Sequence, residues 1–339
     1  MPFMPGVVCR SPKSTGNDEM ITLQDILEAR GLVSPYVRRT TLERQDSLSR
    51  RLGTNVYLKL ELFQKTGSFK PRGAFNQVLH LTPEQRGRGV VAVSGGNFAQ
   101  GAAYAGRVLG VRTLVCMPAY TPKNYIAATQ SYGAEVELAP TFPEVFTMAQ
   151  AYQDEGMSLL HPYDNRYQMA GNGVIGLELL DDLPEMTDVF ISIGGGGLIA
   201  GIMAAIKSLK PQVRIWGVET EGSETLGEAL RLGKVVQIHP TSLAKTLGGP
   251  YIAEDTLLLA QQHLEGYVLV SDREAFDALL YLMERAKVIT ELAASCTLAA
   301  AERVKDSFSP DDHVVLLLCG GNTSLENLME YHRLLAPSE

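Results

Sequence analysis

Lys70 lies in the run Lys65-Thr66-Gly67-Ser68-Phe69-Lys70-Pro71-Arg72-Gly73-Ala74, between a Phe and a Pro and at the junction of a strand pattern and a helix pattern. A lysine set in such a turn becomes a nucleophile toward aldehydes when burial lowers its pKa enough to leave some neutral amine. Most lysines are solvated, so the local sequence alone leaves Lys70 undecided between a catalytic amine and a loop cation. Two glycine-rich turns downstream change the weighing. Gly194-Gly195-Gly196-Gly197 follows a buried strand pattern and precedes a helix pattern, the arrangement in which backbone N–H groups approach a phosphate. No Gly-Lys-Ser/Thr follows, so a nucleotide P-loop is excluded. Gly195, Gly197 and Ala200 also satisfy G-x-G-x-x-A, with Glu219 at the end of the next strand, as in a dinucleotide site; a loop serving only tight strand–helix packing is a third option. Ser94-Gly95-Gly96-Asn97 is a second turn of the same kind, with backbone donors suited to a carboxylate. Asn97 is equally suited to donating to a phenolate-like oxygen and to ordinary turn chemistry.

The elements that position these residues follow from periodicity. Ile21 to Gly31 reads as an amphipathic helix, and Asn55 to Leu62 alternates like a strand entering the Lys70 turn. From there the pattern becomes strand, turn, helix. Strands at Gly89 to Ser94, Val111 to Met117 and Ala134 to Leu138 alternate with helices at Phe98 to Leu109, Pro122 to Tyr132 and Phe142 to Asp154. A second block starts near Asp164, with strand Asp188 to Ile193, helix Leu198 to Leu209 and strand Val213 to Glu219. Strand Val314 to Leu318 then runs into Cys319-Gly320-Gly321-Asn322 and helix Ser324 to Leu334. Such alternation predicts an α/β chain with mostly parallel sheets flanked by helices, its glycine-rich turns gathered at the carboxyl ends of strands in a cleft between two blocks.

Composition narrows the function. The 339 residues carry a formal charge of −8 with no basic cluster, which argues against nucleic acid and against an anionic membrane surface. Cys9, Cys116, Cys296 and Cys319 show neither CxxC nor CxxH spacing, so a reducing cytoplasm fits best and no zinc site is expected. No apolar run reaches the length of a membrane span, and residues 1–19 read as a flexible leader.

These motifs together resemble the fold-type II enzymes that use pyridoxal 5'-phosphate (PLP), and within them the serine/threonine dehydratase (threonine ammonia-lyase) and serine racemase group. The likeness runs over residues 20 to 334 and is carried by SFKPRGA with Lys70, SGGNFAQG, GGGGLIAG and the late CGGN. It implies a two-domain, tryptophan-synthase-β-like fold with the cofactor in the interdomain cleft. Residues 20–79 and 165–334 would form the large PLP-binding domain and 80–164 the small one. It implies that Lys70 is the catalytic lysine bonded to the coenzyme aldehyde, with Phe69 against the ring, Asn97 on the ring hydroxyl and Gly194, Gly195, Gly196 and Gly197 around the phosphate. Cys319 would face the pyridine nitrogen, Glu291 would lie in the segment beneath the cofactor, and Ser94, Gly95, Gly96 and Asn97 would hold the substrate carboxylate. A homodimer acting on a small amino-acid substrate is the implied assembly.

Departures from the family pattern are informative. Phe98 stands where the family usually has His, and Leu292 where it has Pro. Gly95 replaces the serine that racemases use as the acid/base on the second substrate face, and glycine carries no proton, so elimination is favoured over racemisation. Glu219 matches the start of the family's cation site, but Thr225 replaces its Asp, so no metal is expected. A neutral Cys319 would leave the ring less electron-poor than an aspartate would, although a small buried apolar role fits the same position. The expected reaction is loss of water from a β-hydroxy amino acid, threonine or serine by default, to a 2-oxo acid and ammonia. A β-hydroxyaspartate or phenylserine dehydratase, an amino-acid racemase and a nicotinamide-dependent oxidoreductase built on Gly195 are the competing readings.

Overall fold

The computed structural model describes residues 20–335, so the expected leader at 1–19 and Cys9 lie outside the described residues. Among the described residues, ten strands form two sheets. In chain order they are β1 (Leu42–Arg44), β2 (Asn55–Lys59), β3 (Val90–Val93), β4 (Thr113–Pro118), β5 (Glu135–Ala139), β6 (Ser158–Leu160), β7 (Asp188–Ser192), β8 (Arg214–Thr220), β9 (Gly266–Val270) and β10 (His313–Leu317). The larger sheet has the order β1-β2-β10-β7-β8-β9 and the smaller β5-β4-β3-β6. Only the β1–β2 pair is antiparallel; every other pairing between named strands is parallel. The chain therefore leaves the larger sheet after β2, builds the smaller one, and returns.

Central strands behave as parallel strands covered on both faces should. β7 is buried at every position, and β10 is buried from Val314 to Leu317. The helices show how the sequence controls approach. Asn97–Leu109 is rich in Ala and Gly, and a Cβ at Gly101 would lie 3.1 Å from both the carbonyl carbon and Cβ of Lys70, so this helix can rest against the lysine turn only because the side chain is absent.

Boundaries moved where side chains decided them. The first helix runs Leu23–Val33, because Thr22 and Asp25 form a reciprocal capping box at its start. The strand expected to reach Leu62 stops at Lys59, and Glu61–Phe63 becomes a 3-10 turn. The reason is charge. Lys59 is buried against Glu178 (2.7 Å), and Glu61 is buried against Arg72, so the chain bends to bring these groups together. The helix Arg166–Asp182 has no polar face to read from periodicity, since Gln168 through Leu179 are continuously buried.

Candidate active site

The lysine turn and the late glycine turn are stitched into one unit. Phe69 N–H donates to the Cys319 carbonyl (3.1 Å), Gly321 N–H donates to the Gly67 carbonyl (2.9 Å), and Ser68 pairs with Gly320 as an isolated antiparallel bridge. Lys70 is thereby fixed as the residue before Pro71, the first residue of the helix Pro71–Leu79. Its Nζ donates to the Pro162 carbonyl (2.8 Å) and lies 4.9 Å from the centre of the Phe69 ring and 5.7 Å from that of Phe98. Burial lowers the amine to about 8, more than its electrostatic interactions with Cys319 and Glu291 raise it. An amine in that range is about one-tenth neutral at pH 7, far more than an ordinary lysine. Phe98 is fully buried beside the lysine.

Asn97 belongs to a buried polar knot. Its Nδ2 donates to both oxygens of Glu291 (2.8 and 3.1 Å), and its Oδ1 accepts from Asn322 Nδ2 (2.8 Å). Asn322 also donates through its side chain to the Thr66 carbonyl and through its backbone to Glu291 Oε1 (2.9 Å), while the Thr246 hydroxyl donates to Glu291 Oε2 (2.6 Å). Burial pushes the Glu291 carboxyl above the usual range, opposed by Thr246, Asn97, Asn322 and the Lys70 charge. Both Asn97 amide contacts go to Glu291, so a third acceptor would take the place of one of them. Tyr125, on the helix Lys123–Ser131 beside the smaller sheet, donates to the Asn322 carbonyl and ties that sheet to the knot.

Cys319 sits in hydrogen-bond contact with Ser192 Oγ (3.4 Å), two residues before the glycine run. Burial and the Glu291 charge push its thiol up to about 12, so it is a neutral group. Cys116, Cys296 and Cys319 are all buried free thiols.

The run Gly194–Gly197 leads from β7 into the helix Gly197–Leu209, whose N-cap is Gly196 at φ +88° with no side-chain cap. A Cβ at Gly195 would fall 2.2 Å from the Tyr163 ring, and one at Gly197 would fall 2.5 Å from the Tyr163 carbonyl oxygen. Tyr163 follows Pro162, the acceptor for Lys70, so this contact joins the glycine run to the lysine. His161 holds the Pro162–Tyr163 turn: its Nδ1 accepts N–H from Tyr163 (3.3 Å) and Asp164 (2.8 Å), and burial with the Lys70 charge lowers it to about 3. The ring is a neutral acceptor.

Ser94, Gly95 and Gly96 line the carboxyl end of β3, partly open to the cleft, with Ser94 Oγ accepting from Gly96 N–H (3.2 Å). Gly96 faces the Thr246 methyl at 3.8 Å from where its Cβ would stand, and a Cβ at Gly95 would lie 2.7 Å from Thr121 Oγ1. Thr121, Tyr125, Pro162, Tyr163, Ser192 and Thr246 were not anticipated. Only Asn322 carried a signal, as the end of the Cys319–Asn322 run. Glu219 is fully buried and raised to about 7 by that burial, with Leu226 N–H (2.9 Å), Gly227 N–H (3.0 Å) and the Thr225 hydroxyl (2.7 Å) on its oxygens.

An uncapped helix N-terminus on a glycine run, a buried lysine of lowered pKa and a neutral thiol gathered at strand ends suit an enzyme for a phosphorylated aldehyde. Comparison agrees. Residues 33–320 match the family described as pyridoxal-phosphate dependent enzyme, and the chain belongs to that family. It is 40% identical over 307 residues to the L-threonine ammonia-lyase of Thermotoga maritima, covering 89% of this chain and 76% of that protein. Among solved structures it is similar to the T.th. threonine deaminase, with 36% identity, a TM-score of 0.85 and coverage of 90% and 99%. It also resembles maize serine racemase, with 29% identity, a TM-score of 0.88 and coverage of 93% and 98%. The nicotinamide reading fails on the same ground: this family uses pyridoxal phosphate.

The site residues fit that coenzyme. The uncapped N-terminus at Gly196 and Gly197 suits a phosphate, and Ser68 Oγ, two residues from Lys70, is a buried hydroxyl with no protein partner.

Proposed function

We propose that this protein is a PLP-dependent ammonia-lyase converting a β-hydroxy amino acid, L-threonine or L-serine, to the 2-oxo acid and ammonia. In this reading Lys70 holds the coenzyme aldehyde, Gly194 to Gly197 its phosphate, and Phe69, Asn97, Glu291 and Cys319 surround its ring. Bound there, the coenzyme supplies a sink for the negative charge that develops at the substrate's α-carbon. The chain's own residues do the rest. The Ser94 to Asn97 turn holds the substrate carboxylate, and the Lys70 amine, kept partly neutral by burial, removes the α-proton. Loss of the β-hydroxyl as water, followed by uptake of one water, accounts for the 2-oxo acid and ammonia. Cys319 adds no charge at the ring.

One observation carries the choice of reaction: Lys70 lies among rings, a carbonyl and a neutral thiol, while Gly95 offers no side chain for a proton on the opposite face. The curated relative named L-threonine ammonia-lyase supports the substrate class. The test is an assay for 2-oxo acid and ammonia over a panel of hydroxy amino acids. Activity on threonine or serine, with loss of both activity and the coenzyme's visible absorbance in Lys70→Ala, is expected. A coenzyme-loaded protein that releases no ammonia from any of them overturns the reading.

A homodimer in a reducing cytoplasm completes the proposal. Among the described residues no helix is long and apolar enough to cross a membrane, and exposed Leu325 and Met329 give the helix Leu325–Leu335 an apolar side. Sedimentation at micromolar concentration tests it, a monomer being the contrary result.

A further inference from the structure

The carbonyl of Gly194, first of the four glycines, is held from outside its own loop. It accepts the Thr225 hydroxyl at 2.7 Å, and the same hydroxyl lies 2.7 Å from Glu219 Oε1. Thr225 and Glu219 are fully buried. Oε1 also accepts from Leu226 N–H and Oε2 accepts from Gly227 N–H, so Glu219 sits on the first turn of the helix Thr225–Leu232. Three segments thus meet at one hydroxyl: the end of β7, the end of β8 and the start of this helix.

This is the place where the family resemblance implies a cation, and the residues do not fit one. A hard cation needs about six oxygen ligands, at about 2.0–2.6 Å. Here the two oxygens nearest the spot already flank a hydroxyl, and Glu219 faces two further N–H donors whose hydrogens would meet a cation with like charge. Among the described residues no group of three or more His, Cys, Asp or Glu could hold a metal ion.

We propose that Thr225 is a positioning residue for the coenzyme loop, its hydroxyl standing between Gly194 and Glu219 in place of a cation, so that coenzyme binding by this enzyme is independent of added monovalent and divalent cations. The hydroxyl fixes the direction of the Gly194 carbonyl and with it the following peptide planes. Being part of the chain, it is never lost by dilution or chelation. The inference rests on the proposed seat of the phosphate at Gly194 to Gly197.

Titration of apoenzyme with PLP, read by absorbance and by quenching of Trp216 fluorescence, tests it in chelator-treated buffer and with added potassium, magnesium or calcium. The wild-type Kd is expected to stay within about twofold across all buffers. Thr225→Val, which keeps the shape and removes the hydroxyl, should raise Kd about tenfold, the loss of one buried hydrogen bond, and Thr225→Ser should return it to within about threefold. Apoenzyme melting temperature in the same buffers gives a second readout, expected to be cation-independent. A wild-type Kd or melting temperature that responds to a cation overturns the proposal, as does a folded Thr225→Val with unchanged Kd. If Thr225→Val does not fold, Thr225→Asp decides: a carboxylate there should make Kd fall on adding magnesium or calcium, and no response counts against the geometry. Failure of the wild type to bind PLP at all would instead sink the reading of the site.

Discussion

Replacing Arg72 with Met tests whether the lysine turn is anchored by charge. Arg72 is fully buried two residues beyond Lys70, and its guanidinium donates to Glu61 through Nε (2.9 Å) and Nη2 (2.8 Å), and to Glu178 through Nη1 (2.7 Å) and Nη2 (2.9 Å). Lys59 Nζ supplies a second cation to Glu178 at 2.7 Å, but among the side-chain contacts of Glu61 only the Thr40 hydroxyl would remain. Glu61, fully buried and held below the usual carboxylate range chiefly by Arg72, would lose its hydrogen-bonded cation and keep only the more distant Lys59 charge. Breaking a buried pair in this way costs about 3–5 kcal/mol, a large fraction of the roughly 5–15 kcal/mol that holds a domain folded. Removing both partners, in Arg72→Met with Glu61→Met, deletes the stranded charge, and Lys59 still pairs with Glu178; the double variant should be more stable than the single one by about 2 kcal/mol or more. Urea unfolding followed by Trp216, the chain's one tryptophan, stacked on Phe190 in the larger sheet, reads both. A single variant within about 1 kcal/mol of wild type, or a double variant below the single, would refute the reasoning.

Coenzyme capture needs the neutral Lys70 amine, and its folded pKa lies below the ordinary lysine value, so the rate of recombination of apoenzyme with PLP should rise about tenfold per pH unit up to about 8 and level off above it; a rise continuing to the ordinary lysine range contradicts the burial argument. Gly195→Ala puts a Cβ 2.2 Å from the Tyr163 ring and should weaken coenzyme affinity by more than about tenfold, with partial recovery on adding Tyr163→Ala; an unchanged affinity in the single variant removes Tyr163 from the loop. Gly95→Ser meets Thr121 Oγ1 at 2.7 Å from its Cβ and should lower kcat/KM about tenfold, whereas Gly95→Ser with Thr121→Ala should recover lyase activity and produce measurable D-serine from L-serine by chiral chromatography. Recovered lyase activity with no D isomer would dispose of the second-face argument.

Much of this architecture was legible because strand, glycine turn and helix recur with clear punctuation. The helix Phe142–Asp154 was placed to the residue, with Thr141 and Glu144 capping its start. Less legible were elements with no polar face, such as Arg166–Asp182, and boundaries set by buried charge, such as the end of β2 at Lys59. In the site, Lys70, Asn97 and the tetraglycine stood out because glycine and lysine chemistry is local, and Cys319 came in through the family resemblance. Thr246, Tyr163 and Thr121 did not, because each acts only across a fold contact: Thr246 on Glu291, Tyr163 on Gly195, Thr121 on Gly95. No spacing in the sequence encodes such pairs.

The insertion of β10 between β2 and β7 governs how the enzyme comes into being on the ribosome. β2 and the lysine turn emerge early, yet their parallel neighbour and the Cys319–Gly321 backbone that clamps the turn are synthesised more than 240 residues later. The smaller sheet closes among residues 90–160 and is able to form while the rest is still being made. Until residue 317 has left the exit tunnel, the nascent larger sheet has an open slot edged by apolar strand, exposed to chaperones and to misassembly. The lysine turn is therefore expected to be ready for the coenzyme only once residues 319–321 have joined the fold.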